Sequence, residues 1–329
     1  MTNRRANPGY FDREGLTPLT GKAWIAIDCQ ADSPIVPLPD CVVIGVDRAG
    51  DLPDVEEAHF DVLLTARESP AAPWIACDDV DKALDELGTQ VDANPIAASI
   101  LVELLRWQDR LSWDVALKVE SLAYSTLLNG AEFGRWLGRR DAADGPPAGA
   151  MIALDRIDDM ISVTLDDPEH RNAISAPMRD ALFEALVNAI EDPSLPEVSV
   201  TGAGKCFSVG GHLPEFGTAA DAAEAHRIRS QRSLAALVHA LGERARVVFH
   251  GATIGSGLEI FAAAGTRLAK ADSWFQLPEL SMGLIPGAGG TVTVPRVIGR
   301  QRAAWMMLTG KRIGTNQAHQ WGLVQEIIA

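Results

Sequence analysis

Cysteine, basic charge and long apolar runs are all scarce in this 329-residue chain, and each scarcity closes off a class of function. The four cysteines, Cys29, Cys41, Cys77 and Cys206, are widely spaced and never form Cys-x-x-Cys, so neither a zinc cage nor a disulfide framework is expected. Without a ligand cluster, no metal or redox cofactor is expected either. No stretch approaches the roughly 18 consecutive apolar residues that span a bilayer, and the opening residues lack the apolar core of a secretory signal. The expectation is a cytoplasmic protein without a membrane partner. Lys and Arg number 29 against 44 Asp and Glu, a formal charge of −15. Residues 1–150 hold 13 basic against 25 acidic side chains and residues 151–329 hold 16 against 19, or −12 and −3. Neither part carries the clustered cations that duplex binding requires, so nucleic acid is excluded as a partner. A polyanionic small molecule fits better on the less acidic second part, where Arg171, Lys205, Arg296 and Arg300 lie.

What is present is an ordinary core-forming composition, 47% hydrophobic and 22% charged, in a chain long enough for two domains. Glycine and paired proline in residues 141–150 mark a linker. Before it, apolar runs at Trp24, Val42, Val62 and Trp74 suggest the small strands of an α/β unit over residues 1–92. Residues 95–138 read as helices, with Ile100, Leu101, Leu104, Leu105, Val115, Val119 and Leu122 spaced three and four apart as an apolar stripe. After the linker, runs from Met160 and Val198 read as strands, with an amphipathic helix from Met178 to Ile190 between them.

Several familiar motifs fail on inspection. Gly202-Ala-Gly204-Lys205 runs into Cys206 where a P-loop needs Ser or Thr, and Ser199 stands at its first glycine. Gly255-Ser256-Gly257 lacks the third glycine of a dinucleotide fingerprint, since Ile260 is there, and Ile254 breaks the spacing of a nucleophile elbow. What remains is two glycine loops and two carboxylates. Gly210-Gly211 follows a strand, and Gly255-Ser256-Gly257 opens a helix whose first N–H groups are unpaired and suited to negative charge. Glu259 lies in that helix's first turn, and Glu279 lies in the turned segment Leu277-Pro-Glu-Leu-Ser-Met-Gly283. Either glutamate alone fits a plain structural site; together, beside two sets of amide donors, they suit proton transfer next to a stabilised oxyanion.

Five segments in order, Arg171-Asn-Ala-Ile-Ser175, Val200 to Leu213, Gly255 to Glu259, Leu277 to Thr291, and Leu308 to Ile313 with Gly322-Leu-Val, resemble the crotonase (enoyl-CoA hydratase/isomerase) superfamily. The resemblance covers residues 151–329. It implies an α/β fold, a ClpP-like spiral of ββα turns, preceded here by the α/β and helical extension. It implies that the amides of Gly211 and Ser256 form an oxyanion hole for a thioester and that Glu259 and Glu279 are the paired acid/base residues. It further implies that the Gly287 N–H orients a water and that Arg171, Ala173 and Ile174 lie along coenzyme A, which enters as part of the substrate. Hydration of a 2-enoyl-CoA is the first expectation; isomerisation, hydrolysis or carbon–carbon cleavage, or a silent CoA-binding subunit, are the alternatives. Family members assemble as trimers or pairs of trimers, so a homo-oligomer is implied. Two departures stand out: His212 replaces the more usual Asp, and Ser256 replaces the middle glycine. A third concerns order: residues 94–140 resemble the family's C-terminal helices, moved to the N-terminal side to cover the site from the same subunit or a neighbour.

Overall fold

Short apolar runs separated by Asp, Pro and Gly become strands when helices cover both their faces. A computed structural model of the protein describes residues 14–32, 34–35, 37–140 and 151–329; the linker expected at 141–150 lies outside the described residues. Strands β1 (Trp24–Asp28), β2 (Val42–Asp47), β3 (Val62–Thr65) and β4 (Ile75–Ala76) form one parallel sheet in that order, with β2 buried throughout. Helix α1 (Val80–Ala93) follows, the helix of this α/β unit, whose position the apolar runs alone do not mark. Its start is set by Asp79, whose side chain accepts the Lys82 N–H at 2.9 Å, and its buried face repeats Val80, Leu84, Leu87 and Val91. Dense Asp and Glu obscured that stripe.

Residues 95–137 are helical: α2 (Pro95–Trp107), α3 (Trp113–Leu128) and α4 (Ala131–Leu137). The stripe expected along α2 is buried at Leu101, Leu104 and Leu105, but that along α3 is not, since Val115 is 44% and Leu122 54% exposed. The inward face of α3 instead carries Ala116, Glu120, Ser121, Ser125 and Leu127. Apolar residues occur on several sides of this helix, so their spacing alone fits two faces equally well. The inward face combines these polar groups with Val119, Ala123, Tyr124 and Leu128, which pack on the core.

The second part opens with the antiparallel pair β5 (Ile152–Ile157) and β6 (Met160–Leu165), then α5 (Ala176–Glu191), β7 (Glu197–Gly202), α6 (Ala222–Gln231), α7 (Leu234–Leu241) and β8 (Ala245–Phe249). It continues through β9 (Ala252–Ile254), α8 (Ser256–Phe261), β10 (Thr266–Lys270), β11 (Trp274–Gln276), α9 (Gly290–Ile298), α10 (Arg300–Thr309), β12 (Ile313–Gly314), α11 (Thr315–Gln320) and β13 (Glu326–Ile328). Six strands make a sheet in the order β13-β10-β8-β7-β6-β5, and β12-β11-β9 make a smaller one. Strand, turn and helix thus advance along two sheets as a spiral. Phe207, Phe249, Phe261 and Phe275 meet edge-on inside it at centroid distances of 5.0 to 5.3 Å.

One apolar core runs through both parts, joining Ile44 and Leu101 to Val247 and Phe249. Polar bonds reinforce that join. Arg300 Nη2 donates to the carbonyls of Glu57 and Phe60 at 2.9 and 3.0 Å, and Arg296 donates to Gln108 Oε1 at 2.9 Å and the Leu111 carbonyl at 3.2 Å. These two arginines, expected among the hosts of a polyanion, therefore fasten the extension instead. Among the described residues, no helix is long and apolar enough to cross a membrane.

Candidate active site

Asn172 anchors the first glycine loop. Fully buried, it donates from its side-chain amide to the carbonyls of Ala203 and Cys206 at 2.8 and 3.0 Å, while its Oδ1 accepts the Asp167 N–H at 3.0 Å. The chain then extends through Ile174, whose N–H donates to Gly210 at 2.8 Å and whose carbonyl accepts the His212 N–H at 3.2 Å. This pairing uses the amides on either side of Gly211 and turns its own N–H the other way; among the described residues it has no assigned acceptor. Gly210, at φ +93°, makes the bend that a side chain would strain.

The second loop follows β9. Gly255 sits at φ +48°, and a Cβ there would meet Glu279 Oε1 at 2.6 Å, so only glycine permits this approach. Ser256 then starts α8, which leaves its N–H among the unpaired donors of a helix N-terminus. Its side-chain oxygen is buried and without a partner among the described residues, as is Oε2 of Glu279.

Glu259 and Glu279 are 3% and 7% exposed and line the same cavity, of about 490 Å³, as Gly211 and Ser256. Their surroundings differ. Glu259 Oε2 accepts N–H groups of Ala288 and Gly290 at 2.7 and 3.1 Å, and the Gly287 amide also faces this carboxyl group. Burial raises the proton affinity of Glu259 above the ordinary carboxylate range, and these amides pull it partly back. Glu279, seated in a single 3-10 turn after Pro278, is pushed up much further by burial and by the Glu259 charge, with little hydrogen bonding to offset either. Among the described residues, no group of His, Cys, Asp and Glu side chains is arranged to hold a metal ion.

Gly287, expected to orient a water, thus presents its amide to Glu259, and the Tyr124 ring is packed so closely on it that an added Cβ would lie 2.3 Å away. Ile174 lines the cavity, Ala173 is buried at 4% exposure, and Arg171 is exposed beside them at φ +56°. His212 is buried, with Nδ1 3.8 Å from Glu215 Oε1 and its ring edge-on to that of His170, away from any tight polar contact.

Sequence reasoning missed Glu120. It comes from α3, is 2% exposed, and lines the cavity with Glu259, Tyr124 and Gly287. The sequence reads its helix only as part of an apolar stripe and of the covering segment 94–140; the available signal is an acid placed four residues from both Ala116 and Tyr124 on one helical face. In this chain α3 and α4 themselves wall the cavity, through Glu120, Tyr124, Phe133 and Leu137.

The sequence matches a family model described as enoyl-CoA hydratase/isomerase over residues 156–329. The protein YngF of Bacillus subtilis is 34% identical over 172 residues, covering 52% of this chain and 66% of that one. An enoyl-CoA isomerase/hydratase, fer4, of Mycosarcoma maydis is 33% identical over 174 residues, covering 50% and 64%. The chain therefore spans just under two thirds of the length of these curated relatives. An enoyl-CoA hydratase from Thermoplasma volcanium superposes with a TM-score of 0.50 at 30% identity, over 54% of this chain and 71% of that one. One from Bacillus anthracis gives 0.50 at 28%, over 54% and 70%.

Proposed function

The chain belongs to the enoyl-CoA hydratase/isomerase family, and from that premise we propose that it adds water to a 2-enoyl-CoA, or removes it from the 3-hydroxyacyl-CoA. One observation carries this reading: two buried carboxyl groups, Glu259 clasped by backbone amides and Glu279 with Oε2 unpartnered, share a cavity with the amides of Gly211 and Ser256, which have no acceptor among the described residues. The thioester oxygen sits between those amides, which become better partners as it gains negative charge. A water held by Glu259 adds through oxygen to Cβ and passes its proton to that glutamate. The alkene electron pair moves onto Cα and the carbonyl, giving an enolate. Glu279, kept neutral by its surroundings, protonates Cα, and exchange with water returns the second proton. Amide donors suit Glu259 to accept a proton, and their scarcity suits Glu279 to give one.

The coenzyme A portion, which is part of the substrate and not a resident cofactor, runs along Ala173 and Ile174 with Arg171 beside them. Isomerisation is the second reading, because a single carboxyl group suffices to move one proton between two carbons. Mass analysis after incubation with enoyl-CoA thioesters of varied chain length separates the two: hydration adds one water, and isomerisation adds nothing. Glu279→Gln, close in shape, is expected to lower kcat for hydration by about 10²–10⁴-fold. Unchanged turnover in that variant would remove Glu279 from the mechanism.

A further inference from the structure

Glu120 lines the cavity beside Glu259 but takes no part in the steps above. One of its oxygens accepts the Gly289 N–H at 2.7 Å; the other accepts the Thr291 N–H at 2.9 Å and the Thr291 hydroxyl at 2.7 Å. Glu259 Oε2 holds the amides of Ala288 and Gly290. Four successive amides, 288 to 291, thus alternate between two carboxyl groups. The last three belong to the N-terminus of α9, whose N-cap is Gly289 and whose dipole favours negative charge there; Ala288 immediately precedes it. Rotating a peptide plane in so tight a turn moves its neighbours, so the grip on 289 and 291 also sets the direction of 288 and 290.

We propose that Glu120 is a positioning residue for Glu259: it holds the turn in the register that clasps Glu259 Oε2, and through that clasp sets how readily Glu259 takes a proton. This rests on Glu259 being the base of the hydration reaction. The clasp is supplied from outside the segment that matches the family model, by a helix that precedes the spiral in the chain. The groups facing this pair are Tyr124 on α3, Arg229 on α6 and Glu279 on the 3-10 turn. Burial and the Glu259 charge raise the proton affinity of Glu120, and its three donors oppose that rise.

The test compares the full-length chain with Glu120→Gln and Glu120→Met in two measurements. The first is the pH profile of enoyl-CoA hydration. The second is the carboxyl titration of ¹³C-labelled glutamate by NMR, with the Glu259 signal assigned from Glu259→Gln. Glu120→Gln keeps the size but turns an N–H toward a backbone donor and loosens the clasp; because the clasping amides hold Glu259 down, its midpoint, and with it the acid limb of kcat, is expected to move about one pH unit higher. Glu120→Met releases the turn and is expected to lower kcat roughly 10–100-fold, with KM changed by less than about threefold. A Glu259 midpoint in Glu120→Gln that coincides with wild type overturns the proposal. So does full kcat in folded Glu120→Met. Lower thermal stability with an unmoved midpoint marks a structural role only and counts against it. If no enoyl-CoA is hydrated by wild type, the functional reading falls by itself, and the NMR midpoint still decides this one.

Discussion

Ser256 brings a hydroxyl to a place where a glycine would bring none, and that hydroxyl is buried without a partner among the described residues. A stranded hydroxyl costs the folded state about 1–3 kcal/mol, while the backbone N–H that the proposed reaction would use belongs to any residue at this position. Ser256→Ala is therefore expected to raise stability by about 1 kcal/mol in thermal unfolding and to keep hydration activity. A lower melting temperature would show instead that the hydroxyl is bonded in solution. Gly211, Ser256 and Glu259 stand out in the sequence because they lie in or just after glycine turns, where backbone closely approaches something else, and Glu279 because it leads into the turn at Gly283. Glu120 offers no such mark. It sits mid-helix in a run that also holds Asp114 and Lys118, and its partners Gly289 and Thr291 lie 169 and 171 positions away.

At the scale of elements, α3, α8 and the 3-10 turn at Glu279–Met282 each bring one acid to the same cavity. All three have folded-state proton affinities above the ordinary carboxylate value of 4.5. Their neutral forms are thus favoured by folding, a contribution fully present below the unfolded value and lost as pH rises through the folded ones. Stability is expected to fall from about pH 5 toward pH 8, where Glu120 is still titrating at about 8, and the fall should be smaller in Glu279→Gln. Thermal unfolding of both proteins across that range checks it; identical pH slopes would contradict the burial of a neutral Glu279. Strands and helices were legible here wherever one face is apolar, as in β2 and α2. On α3 the pattern misled in part, because Val115 and Leu122 are apolar yet exposed while Val119 packs on the core, and the hydrogen-bonded carboxyl group on its inward face is visible only in three dimensions.

Among the described residues, arginines of the spiral hold the acidic extension by its backbone carbonyls, and inside the extension a buried ion pair joins α2 to the sheet. Arg106 on α2 meets Asp61 at 2.6 Å, and Asp61, 2% exposed, also accepts the Val43 N–H at 2.8 Å. Removing one partner of such a pair leaves the other charged and buried, so Arg106→Met is expected to cost about 3–5 kcal/mol. Denaturant titration would measure that loss. Because α2 carries α3 with it, hydration should weaken in parallel; intact activity at a markedly lower midpoint would show that α3 seats itself independently.

The order of the parts along the chain also has a consequence during synthesis. Glu120 leaves the ribosome 171 positions ahead of Thr291, so at roughly 5–20 residues per second it waits on the order of ten to thirty seconds for the hydroxyl and amide that receive it. Through that interval α2 and α3 expose apolar surface and an unmatched acid before the scaffold beneath them exists. The abundance of negative charge in residues 1–150 then acquires a use besides the finished structure, since it keeps a nascent, half-dressed extension from adhering to its neighbours.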